Sequence, residues 1–247
     1  MMSAIQFIHV TKSFGRGTHR ATVLHDLSLE IRYGEIFGFI GPNGAGKSTS
    51  IKLLLNFLTP DAGQLTIGGL DVRRKQFRQL IGYLPETPCF YDNLTGRETL
   101  FFAARSAAME KSCASENIKE ILERVNLSRA ADARVGTYSK GMKQRLGLAT
   151  ALIHDPEIYI LDEPMSGLDP MGRNLVGKII RDLKNRGKTV FFSTHILNDV
   201  EVMCDRVGIL SSGSLIFAGA FDSLLRSGEN LEEAFVHLIE QSTSSTP

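Results

Sequence analysis

Over residues 4–10 and 22–31 apolar residues alternate with polar ones, which predicts two strands that each bury one face, joined by a Gly/Arg/His-rich turn at 14–20. Residues 36–40 form instead a continuous apolar run that ends in Gly41-Pro42-Asn43-Gly44, the pattern of a fully buried strand. The period then lengthens. From Lys47 to Leu58 the apolar positions are Ile51, Leu54, Leu55 and Leu58, which predicts a helix stopped by Thr59-Pro60-Asp61-Ala62-Gly63. Residues 64–67 read as a further strand.

The middle of the chain turns helical. Thr95 with Glu98 predicts a capping box and a helix to about Ala108. Ser115 is expected to open a second helix, apolar at Ile118, Ile121, Leu122 and Val125, and Ser139 a third that reaches Ile153. After this insert of roughly 88–150 the α/β pattern resumes, with strands at 158–161 and 189–193 around a helix at 171–185. Residues 207–210 and 214–218, flanking Ser211-Ser212-Gly213, predict a closing hairpin. Asn230 and Glu233 are expected to cap a last amphipathic helix, before a polar, frayed 241–247.

Composition narrows the function classes. A chain of 247 residues suits one large domain or a domain with a subdomain, and 43% hydrophobic content with 22% charged excludes whole-chain disorder. Because 28 Lys+Arg nearly cancel 27 Asp+Glu, no global field draws the chain to nucleic acid or an anionic bilayer. Cys89, Cys113 and Cys204 are too few and too scattered for a disulfide framework or a zinc site. The apolar runs are far shorter than the ~20 residues of a membrane-spanning helix, and the first residues lack a basic stretch before an apolar one. Neither a span nor a leader is expected.

The chemistry sits where the glycines cluster. Gly41-Pro42-Asn43-Gly44-Ala45-Gly46-Lys47-Ser48-Thr49 follows a strand, opens a helix and has the spacing of a P-loop. Glycines let successive backbone N–H groups turn toward a polyphosphate, and the helix start adds partial positive charge. Lys47 then reaches the β- and γ-phosphates and the Ser48 hydroxyl ligates Mg²⁺. The competing reading is a glycine-rich turn with an incidental lysine. A second strand, at 158–161, ends in Asp162-Glu163, and in a parallel sheet such ends face the ligand. Asp162 suits the metal, and Glu163 suits the orientation of an attacking water; a solvated acidic turn is the alternative.

With these residues in place, the chain resembles the ATP-binding subunit of an ABC transporter over nearly its whole length. Tyr138-Ser139-Lys140-Gly141-Met142-Lys143-Gln144-Arg145 resembles the family's signature, Ser166-Gly167-Leu168-Asp169 its D-loop, and Ser193-Thr194-His195 its H-loop. Phe14, before Gly15, stands where the family stacks an aromatic ring on adenine, although it can equally pack the first strand. Two departures stand out: Glu86 replaces the usual Q-loop glutamine in Gly82-Tyr83-Leu84-Pro85-Glu86, and Lys140 and Met142 replace the signature's glycine and glutamine. An ionised Glu86 can approach a metal but cannot donate a hydrogen bond.

The resemblance implies an α/β fold with a P-loop NTPase (RecA-like) core, an N-terminal antiparallel β subdomain and an inserted α-helical subdomain. It places the core at 1–87 and 151–220, the helical subdomain with the signature at 88–150, and the C-terminal helix and tail at 221–247. It implies ATP and Mg²⁺ as ligands. Phe14 and the loop from Gly41 through Thr49 hold the nucleotide, and Lys47, Glu163 and His195 carry the catalysis. Ser48, Asp162 and Glu86 serve the metal, while Ser139 and Gly141 touch the ATP of an opposite subunit. The partners implied are a second ATPase subunit, identical or paralogous, and an integral membrane permease that keeps the chain at the cytoplasmic face of the membrane; no nucleic acid is expected. The signature string, the 82–86 loop and the 230–238 tail resemble ABC-2 type exporters, so ATP-driven export is the expected function. The rival classes are a soluble ABC ATPase acting on a macromolecular complex, a small-molecule kinase, and a binding module without turnover.

Overall fold

The computed structural model describes residues 3–224 and 231–244. In chain order the first elements are β1 (Ser3–Phe14), β2 (Ala21–Arg32), β3 (Ile36–Ile40), α1 (Lys47–Leu54), β4 (Ala62–Ile67) and β5 (Leu70–Asp71). Then come β6 (Ile81–Leu84), α2 (Gly96–Ser106), α3 (Lys111–Arg124), α4 (Lys140–Leu152), β7 (Ile158–Asp162) and α5 (Pro170–Asn185). The last are β8 (Thr189–Thr194), α6 (Leu197–Met203), β9 (Arg206–Ser211), β10 (Ser214–Ala220) and α7 (Leu231–Ser244). Two compact units divide the chain, one of Met1–Arg78 with Thr189–Pro247 and the other of Gln79–Lys188. Among the described residues no helix is long and apolar enough to cross a membrane.

The first unit holds an antiparallel sheet in the order β2-β1-β4-β5 and a second layer in the order β10-β9-β3-β8. The alternation seen in the sequence becomes the inner face of β1 and β2, where Ile5, Phe7, Val10, Leu24, Leu27, Leu29 and Ile31 are buried. β3 pairs in parallel with both β8 and β9, and all five of its residues are buried, which is why it carries no polar alternation. Phe191 on β8 joins the layers, its ring centroid 6.5 Å from Phe7 and 5.5 Å from Phe39. β9 and β10 form the expected hairpin. Leu231 and Ala234 of α7 pack with Ile40, Val207 and Ile209. Asn230, expected as the cap of α7, lies outside the described residues.

The second unit is mainly helical around a parallel β6–β7 pair, in register from Ile81↔Ile158 to Leu84↔Leu161. The capping box of α2 is present: Glu98 N–H donates to Thr95 Oγ1 at 3.1 Å, and Thr95 N–H to the Glu98 carboxylate at 2.8 Å.

Several expected boundaries shift: β1 runs on to Phe14 rather than Val10, and α7 continues to Ser244, into the stretch expected to fray. α3 begins at Lys111 rather than Ser115, because nothing in Lys111-Ser112-Cys113-Ala114 interrupts a helix, and Ser115 Oγ donates to Lys111 O inside it. α1 stops at Leu54 rather than Leu58. Asn56 takes a left-handed φ of 56°, and the Phe57 and Leu58 N–H groups fold back to Lys52 O, a helix-ending turn that apolar spacing does not register. β6 and α6 were not expected; at four and seven residues they are too short to show a period.

Candidate functional site

In the first unit the site is built at the carboxyl end of β3. Gly41 follows the strand so closely packed that a Cβ there would lie 2.3 Å from Leu210 O, leaving room only for glycine. The loop turns through Gly44 at φ 81° and Gly46 at φ 109°, conformations that favour glycine. A Cβ on Gly46 would meet Leu24 Cδ2 at 2.7 Å, and Gly213 N–H donates to Ala45 O at 3.0 Å, so β2 and the β9–β10 turn brace the loop. Pro42, Asn43 and Gly44 are exposed, whereas Ser48 and Thr49 are partly covered.

Unlike α2, α4 and α5, whose first turns accept a side-chain cap, α1 has none at its glycine N-cap. Its first N–H groups are therefore donors for an anion. Lys47 is buried, and its ammonium turns onto its own loop, donating to Gly41 O at 2.6 Å and Pro42 O at 3.2 Å.

His195 stands on the same edge. β8 is in register with β3 through Ile40↔Thr194, so Gly41 and His195 leave adjacent parallel strands at the same level. The turn is set by Ile196 N–H donating to Thr194 Oγ1 at 3.0 Å.

Phe14 ends β1, 40% exposed, and pairs with Ala21, two residues from the Val23 carbonyl that touches the loop at Gly46. Asp61, which follows α1, holds both flanks of the Phe14 turn. Its carboxylate accepts from Ser13 N–H at 2.8 Å, Lys12 Nζ at 3.2 Å and Arg20 Nη2 at 3.0 Å. The Ser13 N–H and the Lys12 ammonium lower its pKa to about 2. Lys12 Nζ lies 5.4 Å from the Phe14 ring centroid, within cation–π reach. Nothing in the sequence marks Asp61 or Lys12 for this role, since a residue in the stop signal of one helix carries no sign of a contact 48 residues away.

In the second unit β6 and β7 point their carboxyl ends the same way. They deliver Glu86, exposed, and the buried Asp162 and Glu163 to one edge. Glu163 leaves the strand with φ 49°, a left-handed conformation rarely taken by a long side chain and common where function requires it. Burial, and then the negative charge of Asp162, push the Tyr83 phenol up to about 12.

Ser139 caps α4, accepting from Met142 N–H at 3.2 Å. Gly141 sits beside the 166–169 turn, where a Cβ would come no closer than 3.5 Å to Leu168 Cδ2. Across Gly167 lies the Lys140 side chain, whose Cε would be 2.6 Å from a Cβ at that position. Gln144, buried in α4, reaches the carbonyls of Glu163 and Pro164; it was legible only as part of the signature string. The oxygen donors Ser48, Asp162 and Glu86 are of the hard type that Mg²⁺ takes.

Residues 24–166 match the family described as ABC transporter. An ABC transporter ATP-binding protein of Nostoc sp. is 48% identical over 83% of this chain and 62% of its own length, so the chain spans less than two thirds of that relative. The bacitracin transport ATP-binding protein of Bacillus licheniformis is 42% identical, covering 91% of this chain and 72% of its own. A solved ATP-binding subunit of an ABC transporter superposes with a TM-score of 0.87 at 31% identity, over 96% of this chain and 99% of that one. The glycine loop with its uncapped helix, the acids closing β7 and the serine-capped α4 thus occur in a chain that belongs to the ABC transporter family, among its ATP-binding proteins.

Proposed function

We propose that this chain binds and hydrolyses ATP to drive an export-type membrane permease, acting as a pair of ATPase subunits. The observation that carries the reading is the Gly41–Thr49 loop, whose helix offers N–H donors that no side chain caps and whose lysine is held at its centre. In this reading the loop, with Gly41, Pro42, Asn43, Gly44, Ala45, Gly46 and Thr49, takes the phosphates and Phe14 stacks on the adenine. Lys47 leaves its two carbonyls for the β- and γ-phosphate oxygens. Ser48 and Asp162 hold Mg²⁺, with Glu86 beside them; the ion supplies charge neutralisation of the phosphate oxygens. Glu163 orients the attacking water and accepts its proton, and His195 donates to the γ-phosphate.

Ser139 and Gly141 serve the nucleotide of the opposite subunit. Packing within its own unit does not demand a glycine at 141, which supports a close approach by something outside that unit. The γ-phosphate then adds contacts in the closed pair that the open pair lacks, and this difference is what ATP uses to shift the equilibrium. The helical part carrying the signature, 88–150, and the Glu86 loop transmit that motion to the permease, which keeps the chain at the cytoplasmic face of the membrane. Transport is what the name of the bacitracin relative states of that protein, and it supports the transport part of this reading.

Glu163→Gln tests the reading. The variant should bind ATP as the parent does, hydrolyse it at least about 10²-fold more slowly, and accumulate as an ATP-dependent dimer in size-exclusion chromatography. Near-normal phosphate release would remove Glu163 from its role. Co-purification with a multi-spanning membrane protein tests the coupling.

A further inference from the structure

Gln144 is 3% exposed, in the second turn of α4, five residues beyond Ser139. Its side-chain Nε2 donates to Glu163 O at 3.3 Å and to Pro164 O at 3.4 Å. The Glu163 carbonyl also accepts from Ser166 N–H at 3.0 Å, so two donors from different elements fix the same peptide. That peptide needs fixing, because Glu163 has φ 49° and must be held there by its surroundings. Pro164 contributes no N–H of its own to hold the turn. The amide of Gln144 is a neutral donor at a buried place where two carbonyls converge, and an unsatisfied carbonyl would be costly there.

We propose that Gln144 is a positioning residue for ATP hydrolysis. Its amide holds the Glu163 backbone in the left-handed turn that aims the carboxylate. Because it lies on the helix that Ser139 and Gly141 begin, it ties that aim to whatever meets the start of α4. A displacement of α4 along its axis is carried by a rigid helix and two hydrogen bonds straight to the carbonyls of Glu163 and Pro164, with no loop between. The proposal rests on the reading of Glu163 as the residue that orients water. An error of about 1 Å in placing such a group is enough to cost roughly 10²-fold in rate.

The test is a pair of substitutions measured in two backgrounds. Gln144→Met keeps length and burial but removes the donor, and Gln144→His retains an N–H at similar reach. Gln144→Met should lower kcat roughly 10- to 100-fold, leave KM for ATP and the affinity for a non-hydrolysable ATP analogue within about twofold, and keep a cooperative unfolding transition. Gln144→His should recover a clear part of kcat. In the Glu163→Gln background, Gln144→Met should cause no further loss in γ-phosphate release, because the group it aims is gone.

Wild-type kcat in Gln144→Met overturns the proposal while leaving the role of Glu163 intact. So does an equal proportional loss in both backgrounds, or a Gln144→His variant that is folded yet as slow as Gln144→Met. Near-normal turnover in Glu163→Gln alone overturns the role of Glu163 and the proposal with it.

Discussion

Asp61 shows how much a single side chain can organise. It gathers Ser13 N–H, Lys12 and Arg20 at the base of the Phe14 turn, and its carboxyl is held at about 2. A depressed carboxylate pKa contributes stability above the unfolded value of 3.8, lost as pH falls through 2. The clamp therefore works unchanged across the neutral range. Asp61→Ala should raise KM for ATP roughly threefold to tenfold with kcat within about twofold, in steady-state kinetics that give the same ratio at pH 6 and pH 8.

Tyr83 behaves in the opposite sense. Its phenol is raised to about 12, so between the ordinary value of 10.0 and 12 the folded state keeps a proton that the unfolded chain has lost. Stability is complete below pH 10 and declines above it. Tyr83→Phe should flatten part of that alkaline decline in urea unfolding measured from pH 8 to pH 11.

Helix starts divide the elements by purpose. Thr95 caps α2 and Ser139 caps α4 with the same geometry, a side-chain oxygen accepting the N–H three residues on. Removing either cap should cost about 1 kcal/mol, a drop of roughly 2–4 °C in Tm for a chain of this size. The two differ in what else the hydroxyl does. Thr95→Ala should therefore lose stability alone, whereas Ser139→Ala should lose comparable stability and also turnover; equal ATPase activity in the two variants would reduce Ser139 to a cap. α1 makes the complementary case. Its N-cap, Gly46 at φ 109°, has no side chain to cap with and leaves the first N–H groups for phosphate.

At the scale of the molecule, one chain carries one phosphate loop and one signature, which the proposed function assigns to different nucleotides. Complementation follows from that arrangement. Lys47→Ala and Gly141→Asp should each be nearly inactive by themselves. Mixed in equal amounts, half of the dimers pair one of each and hold one intact site of two, giving about a quarter of wild-type phosphate release. A mixture no more active than its components would place loop and signature on the same nucleotide. Cys89 and Cys113, both exposed, offer thiols for labelling such mixed dimers.

Local chemistry was legible in the amino-acid sequence wherever one short stretch had to meet a phosphate or a metal. Gly41 is required by a close backbone approach and Gly44 and Gly46 by their left-handed conformations, the acids of 162–163 by the end of a buried strand, and Ser139 by the start of a helix. Each leaves its mark within about ten residues, and so did the alternating, buried and helical segments around them. What only the tertiary structure decided are the contacts whose partners lie far apart in the chain: Asp61 under the Phe14 turn, Gln144 on the Glu163 peptide, and the register that sets His195 level with Gly41. The same holds for the short β6 and α6, held by their neighbours rather than by any period of their own. The physical reason is the range of the interaction. Propensity, capping and steric demand act along the chain and are written there, whereas a hydrogen bond across the fold depends on where packing brings two segments.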